Sequence, residues 1–377
     1  MLKAFRFRLY PTKAQQTKIN ATLESLRWVY NETLAIRKNT WEQEHKSISL
    51  FKTNKLLTQW KQQHPELKDV FSQVLQDAQV RVDLAFKAFF RRVKAGEKEA
   101  GYPRFKGHGR YDSLTYTQFG SKLDQDTLTL SKIGVVRINM HRPVQSKIHR
   151  VTIRRTSTGK MFASIITEAP SKPAPFKNGS VVGIDVGLES FATLSNNEKI
   201  ANPRFFRSEE HALAKAQRRL SAEKMGSAEW RRRLKVVKRI HERVSNKRSN
   251  FIHQESRRLV DRFGVIAFED LHIRGMQQNH CLAKSIGDAG WGMFVNATRN
   301  KAEDAGSRVV LVNAKGTSQA CSRCGLIVEK SLGERVHRCE CGLVMDRDLN
   351  ASINVLRLGL QSLSQMGIEA HALQGWE

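Results

Sequence analysis

Acidic residues are scarce in this 377-residue chain: 36 Asp and Glu stand against 64 Lys and Arg, for a formal charge of +28. That excess goes beyond what solubility needs and makes a polyanion the expected partner. A solvated basic surface is the bland alternative, but aromatic residues interleave with the charges, which favours nucleic acid. Long apolar runs are missing too. No stretch approaches the ~20 residues needed to cross a bilayer, and the opening MLKAFRFRLYP lacks the apolar region of a signal peptide. The expectation is a cytoplasmic, nucleoid-associated protein with no membrane partner. Of only five cysteines, four fall between Cys321 and Cys341, a clustering that excludes a disulfide framework and fits a reducing compartment. Cys281 stands apart and reads as a small side chain. Prolines number eight, and three crowd into six residues of EAPSKPAPFKNGS, which reads as a linker because they resist helix and central strand alike. The length exceeds what one core usually holds, so two or three compact units are expected.

The opening KAFRFRLY alternates basic and apolar residues as a half-buried strand does, and Pro11 stops it. Thr12 followed by Gln15 is a capping-box signal, and Ile19, Leu23, Leu26 and Tyr30 then recur at helical spacing. A second helical pattern runs from Val74 through Phe86, Phe89, Phe90 and Val93 to Gly96, with Arg91, Arg92 and Lys94 in its last turn. From Gly101, short alternating runs predict a β subdomain, including RVTIRRTSTGKMFASIITE with a turn at Thr158 and Gly159. Beyond a boundary near residue 175, VVGIDVG, SFATLS, VIAFEDL, a helix over Trp291 to Ala305, and RVVLVN alternate strands with helices, as an α/β sheet does. Between His211 and Asn250 lie thirteen Lys or Arg against three Glu. With a narrow stripe of Leu234, Val237, Val244 and Phe251, this region reads as a phosphate-tracking helix pair, a solvated hairpin being the alternative.

Asp185 ends one apolar strand and Glu269 another, so adjacent strands could bring both carboxylates to one sheet edge, where hard divalent cations take oxygen ligands. Two such cations could clamp an in-line phosphodiester displacement, which makes a nuclease the reading. A missing side chain at Gly187 would let backbone or substrate approach closely. Any single strand-end acid is as readily a cap or surface group. Asp346 and Asp348 both precede the helical pattern of Ala351, Ile353, Val355 and Leu356, and the residues alone leave open which caps it and which binds metal. Cys321 and Cys324, then fourteen intervening residues, then Cys339 and Cys341, spell a tetrahedral, structural Zn²⁺ site. The second pair has one intervening residue where two are more usual.

Taken together and in order, KAFRFRLYPTKAQQ, RWVYNETL, GYPRFKGHGRYDSLTYTQF, GIDVGLESFATLS, NKRSNFIHQESRRLV, AFEDLHIRGM, SIGDAGWGMF, GTSQACSRCG and DRDLNASINVL resemble the TnpB family. That family comprises transposon-encoded, RNA-guided DNA endonucleases related to type V CRISPR effectors. The resemblance covers nearly the whole chain. It implies a RuvC-like nuclease domain of the RNase H fold over 180–315 and 344–360, interrupted by helices and by a zinc ribbon at 316–343. A β wedge domain (1–10 and 101–170) holding a helical recognition lobe (11–100) would precede it, with a linker at 171–179 and a poorly anchored tail at 361–377. The class implied is α/β plus mixed α+β. Asp185, Glu269 and Asp348 match the catalytic, metal-binding acids, served by Mg²⁺ or Mn²⁺. The partners implied are a guide RNA from the transposon end, with one protein per RNA, and double-stranded DNA carrying a short flanking motif. Ser72, Gln73, Gln76 and Gln118 fall where similar proteins read that motif, and Gln can contact adenine edges. Arg231, Arg232, Lys235, Lys238 and Arg239 are the expected phosphate contacts. A nuclease-silent repressor is one alternative, but it would be expected to lack an acid. An RNA-independent transposase or resolvase is another, and it leaves the basic N-terminal half without a task.

Overall fold

The alternation of the first ten residues becomes the central strand of a sheet. In the computed structural model, which describes residues 2–144, 146–168, 180–331 and 333–365, strand β1 (Leu2–Tyr10) is followed by helices α1 (Lys13–Glu44), α2 (Leu50–Gln63) and α3 (Ser72–Lys94). Strands β2 (Ser113–Tyr116), β3 (Ser121–Asp124), β4 (Thr127–Leu130), β5 (Gly134–Asn139), β6 (Ile148–Arg155) and β7 (Met161–Glu168) complete this part. The seven strands form one sheet in the order β2-β6-β7-β1-β5-β4-β3. Thus β1 pairs antiparallel with both β5 and β7, strands more than a hundred residues away. Phe7 and Leu9 of β1 are buried while Arg6 and Tyr10 stay exposed.

Helix α1 starts with the full capping box, Thr12 and Gln15 each bonding the other's backbone N–H, which satisfies two donors the helix cannot use itself. Its periodic Ile19, Leu23, Leu26 and Tyr30 are all buried. In α3 the apolar stripe is buried only as far as Phe86, and Phe90 and Val93 lie exposed, so that end of the helix presents aromatic and basic side chains to solvent. Residues 1–171 make one compact unit and 172–377 a second. The expected linker, 171–179, lies outside the described residues.

The second unit is built on β8 (Ser180–Val186), β9 (Ser190–Leu194) and β10 (Lys199–Ala201), then helices α4 (Phe205–Ser221) and α5 (Ala228–Arg262), then β11 (Phe263–Glu269). Short helices α6 (Ile273–Met276) and α7 (Ala283–Ala289) lead to α8 (Trp291–Ala305) and β12 (Arg308–Val312). A small hairpin, β13 (Val336–Arg338) and β14 (Val344–Asp346), precedes α9 (Arg347–Gln365). The main sheet runs β10-β9-β8-β11-β12. Its first three strands form an antiparallel meander, and β11 and β12 add in parallel.

Pleating sends alternate residues to opposite faces. Val182, Ile184, Ile266 and Phe268 pack on one face with Ile252, Leu259 and Phe294 from α5 and α8. Val181, Val265, Ala267, Val310 and Val312 pack on the other with Val355, Leu356 and Leu363 of α9. The helix reaches Gln365 with Leu363 buried, so the poorly anchored tail expected from residue 361 does not begin there; 366–377 lie outside the described residues. Pairing of β13 with β14 likewise carries the small hairpin to Asp346, three residues past the expected ribbon boundary. Among the described residues no helix is long and apolar enough to cross a membrane.

Candidate active site and zinc module

Register brings the first two acids together. Ile184 pairs with Phe268 across parallel β8 and β11, so Asp185 and Glu269, one residue further on, are neighbours at the carboxyl ends of adjacent strands. That end of a parallel array is where open α/β sheets place ligands. By alternation both acids share the α9 face, with Val181 and Gly183 behind one and Val265 and Ala267 behind the other. The third acid comes from α9 itself, where Asp348 occupies the first turn.

Close packing of α9 on β8 fixes that approach. A Cβ at Gly183 would lie 2.1 Å from the Ser352 carbonyl oxygen and 2.5 Å from the Leu356 nitrogen, and one at Gly359 would lie 2.6 Å from the Ala267 Cβ. Only hydrogen fits at either crossing. The close approach expected at Gly187 is milder, with the Ser190 carbonyl oxygen 3.0 Å away.

Burial dominates the electrostatics of the site. Burial raises the Asp185 carboxyl well above its ordinary range, and Glu269 and Asp348 raise it further, with Arg347 opposing them. Burial also raises Glu269, opposed by the Thr317 hydroxyl, which donates to Glu269 Oε1 over 2.5 Å. Asp348 Oδ1 accepts from Arg347 at 3.1 Å, and Arg335 approaches its other oxygen at 4.0 Å. Asp346 has a different task. Its Oδ1 accepts from the backbone N–H groups of Asp348 and Leu349 at 2.9 and 3.0 Å, and its Oδ2 accepts from Lys199 at 2.8 Å. Despite burial, those partners hold Asp346 below the usual carboxylate range. Asp346 therefore caps α9, and Asp348, whose charge acts on Asp185 more than that of Asp346, is left as the candidate third acid. Asp185 and Glu269 are both disfavoured as anions, and Asp348 lies near enough for its charge to act on Asp185. Carboxylate oxygens are the donors a hard divalent cation takes, although among the described residues it is the four cysteines, not these acids, whose ligand atoms already sit within reach of one ion.

The four cysteines converge: all their sulfurs lie within 4.8 Å of one another. Cys321 and Cys341 are 3.6 Å apart, Cys324 and Cys339 3.5 Å, close to the ~3.8 Å edge of a tetrahedron with Zn–S bonds of ~2.3 Å. Two tight turns supply them. Gly325 and Gly342 take φ of +81° and +82°, which allows each chain to reverse just past a thiol pair. The shorter Cys339-Glu340-Cys341 spacing is accommodated because the turn sits at the tip of β13 and β14, where Cys339 and Leu343 share a backbone bond. Zinc fits this set; Cys281 is exposed and outside it.

The remaining candidates are dispersed. Gln73 donates to Gln118 at 3.1 Å, joining α3 to the end of β2, and Gln76 is exposed one turn along. Ser72 accepts from Lys61. On α5, Arg231, Arg232, Lys235 and Arg239 are exposed and Lys238 is half-buried; Arg232 bonds Glu229. Sequence pattern alone does not single out Thr317, Asn350 and Asn354, all buried: Thr317 bonds Glu269, and the two asparagines bond the segment from Thr317 to Ser322. Their place inside GTSQACSRCG and DRDLNASINVL was the available signal.

Three sequence families match the chain. One described as "Probable transposase", the OrfB protein of IS605, matches residues 164–280. A Cas12f1-like TNB domain matches 291–355, and a helix-turn-helix domain of the same OrfB proteins matches 1–46, although the described residues of that range, 2–46, hold β1 and one helix, α1. A Streptomyces pristinaespiralis protein named "Putative RNA-guided DNA endonuclease" is 34% identical, over 95% of this chain and 89% of its own. InsQ of Escherichia coli K12, named in the same words, is 31% identical over 95% and 92%. Among solved structures, the mini-RNA-guided endonuclease CRISPR-Cas_phi3 shares the fold, with a TM-score of 0.55, 8% identity, and coverage of 95% and 92%. At those identities and coverages, the chain belongs to the TnpB family, that of the insertion-sequence OrfB proteins.

Proposed function

We propose that this protein is an RNA-guided, divalent-metal-dependent endonuclease that cuts double-stranded DNA beside a short transposon-associated motif. The observation that carries the reading is the placement of Asp185 and Glu269 at the carboxyl ends of the neighbouring strands β8 and β11, with Asp348 in the first turn of α9 and its charge acting on Asp185. A three-strand meander extended by two parallel strands supports assignment to a RuvC-like RNase H fold. The names and coverage of the relatives support guidance by RNA.

Asp185, Glu269 and Asp348 would hold Mg²⁺ or Mn²⁺, which when bound supplies Lewis acidity toward a scissile phosphate and an activated water. The chain's own contribution is orientation. Asp346 and Lys199 fix the start of α9, Arg347 steers the Asp348 carboxylate, and Thr317 holds Glu269. Zn²⁺ would be structural, since four thiolates leave no open position. The β sheet of residues 1–171 with its helices would be the wedge and recognition lobe, binding a guide RNA from the transposon end. The Gln73–Gln118 pair and Gln76 would read the flanking motif, and exposed Arg231, Lys235 and Arg239 would meet phosphates. Specificity would then rest on guide pairing, in the cytoplasm near the nucleoid, with one protein per RNA.

The test is Asp185→Ala in a reconstituted protein–RNA complex. Cutting is expected to disappear with guide-RNA affinity unchanged; retained cutting, or lost RNA binding, would count against the assignment.

A further inference from the structure

Glu269 is 9% exposed and, among the described residues, accepts one side-chain hydrogen bond, from Thr317. A Glu with three rotatable bonds would otherwise be free to leave the geometry a cation needs, and a hydroxyl that fixes a ligating carboxylate is a common second partner of metal sites. Thr317, 3% exposed, begins the segment that ends at Cys321, which is 0% exposed. That segment is bolted to α9 by two buried amides. Asn354 Nδ2 donates to the carbonyl oxygens of Thr317 and Ala320 at 2.9 and 2.7 Å. Asn350 Nδ2 donates to Ala320 O at 2.7 Å, and its Oδ1 accepts from Ser322 N at 2.9 Å. Asn350 lies two residues beyond Asp348.

We propose that Thr317 is the positioning residue for Glu269, and that Thr317 to Cys321 is a strut by which the zinc module sets the spacing of Glu269 and Asp348. The inference rests on the nuclease reading above. One end of the strut is anchored by the cysteine cluster, the other touches an acid, and its middle is held to the helix that carries the third acid. The zinc module is thereby part of the metal site's scaffold as well as a small fold of its own.

The experiment uses the full chain, titrated with Mn²⁺ by electron paramagnetic resonance, with zinc content measured and cleavage by the RNA complex followed over a Mg²⁺ series. Thr317→Val is expected to weaken Mn²⁺ binding about 10- to 100-fold and to shift cleavage to higher Mg²⁺, with zinc content and guide-RNA affinity unchanged. Thr317→Ser, which keeps the hydroxyl, restores both. Asn354→Leu is expected to weaken Mn²⁺ binding without touching an acid. Mn²⁺ affinity equal to the unmodified chain's in Thr317→Val or in Asn354→Leu overturns the strut, as does a Thr317→Ser variant as defective as the valine. Asp185→Ala separates the two readings. If it loses Mn²⁺ and cutting while Thr317→Val keeps both, only the strut fails; if it keeps both, the nuclease reading falls and the strut with it.

Discussion

Replacing Gly183 by Ala tests how α9 places Asp348. The added methyl would sit 2.1 Å from the Ser352 carbonyl oxygen, 2.5 Å from the Leu356 nitrogen and 2.7 Å from the Leu356 Cβ. A carbon–oxygen contact relaxes at about 3.3 Å, so α9 must retreat by roughly 1 Å. Two of the obstructing atoms are backbone and cannot rotate away. The cost should lie at the upper end of overpacking, about 3 kcal/mol, or roughly 6–12 °C in the melting temperature of a unit this size. The same 1 Å displaces Asp348 from Asp185 and Glu269, a misplacement of a kind that costs about 100-fold in rate. Calorimetry on the purified chain and single-turnover cleavage by its RNA complex read the two effects separately. A Gly183→Ala protein with unchanged melting and cleavage would refute the claim that contact at this crossing sets the site.

Asp185→Asn is expected to abolish cleavage yet stabilise the metal-free protein at neutral pH. Its carboxyl is raised in the folded state, so between the unfolded and the folded titration the native protein binds more protons than the unfolded chain, and stability falls as pH rises through that interval. The gain from Asn should vanish below about pH 4, where the unfolded carboxyl also protonates; melting curves across pH check it, and a variant less stable at pH 7 contradicts it. Asp346→Ala removes a helix cap and an ion pair with Lys199, costing about 1–2 kcal/mol and lowering cleavage without ending it. Complete loss there, with Asp348→Ala still active, would reverse their roles. Chelation of zinc should expose the ribbon to proteolysis at 316–346 and reduce cutting, because structural zinc supplies on the order of 10 kcal/mol to such modules; mass spectrometry of the fragments reads it, and an unchanged digestion pattern would count against a metal-held module.

Local pattern made many elements legible. The Thr12–Gln15 box, the stripe of α1, both acid-ending strands and α8 are short-range signals that tertiary structure left in place. Placement was not legible: spacing puts Asp185, Glu269 and Asp348 in order, but it takes the β8–β11 register to make the first two neighbours and the α9 crossing to bring the start of that helix to the same sheet face. The choice between Asp346 and Asp348 turned on which carboxylate points back at the helix's own N–H groups, a matter of rotamer rather than sequence. Gly187 drew notice because it follows an acid, whereas the tight crossing is at Gly183, inside the strand, where the partner lies 169 residues later. Thr317, Asn350 and Asn354 escaped because small polar residues look alike in sequence until burial shows what they bond.

The most direct measurement gives the protein two different guide RNAs in turn, in Mg²⁺, with one plasmid carrying both matching targets beside the same flank. Cutting that moves from one target to the other with the guide, and stops without RNA or Mg²⁺, is the predicted result. Cutting at one fixed place whatever the guide, or without any RNA, would contradict it.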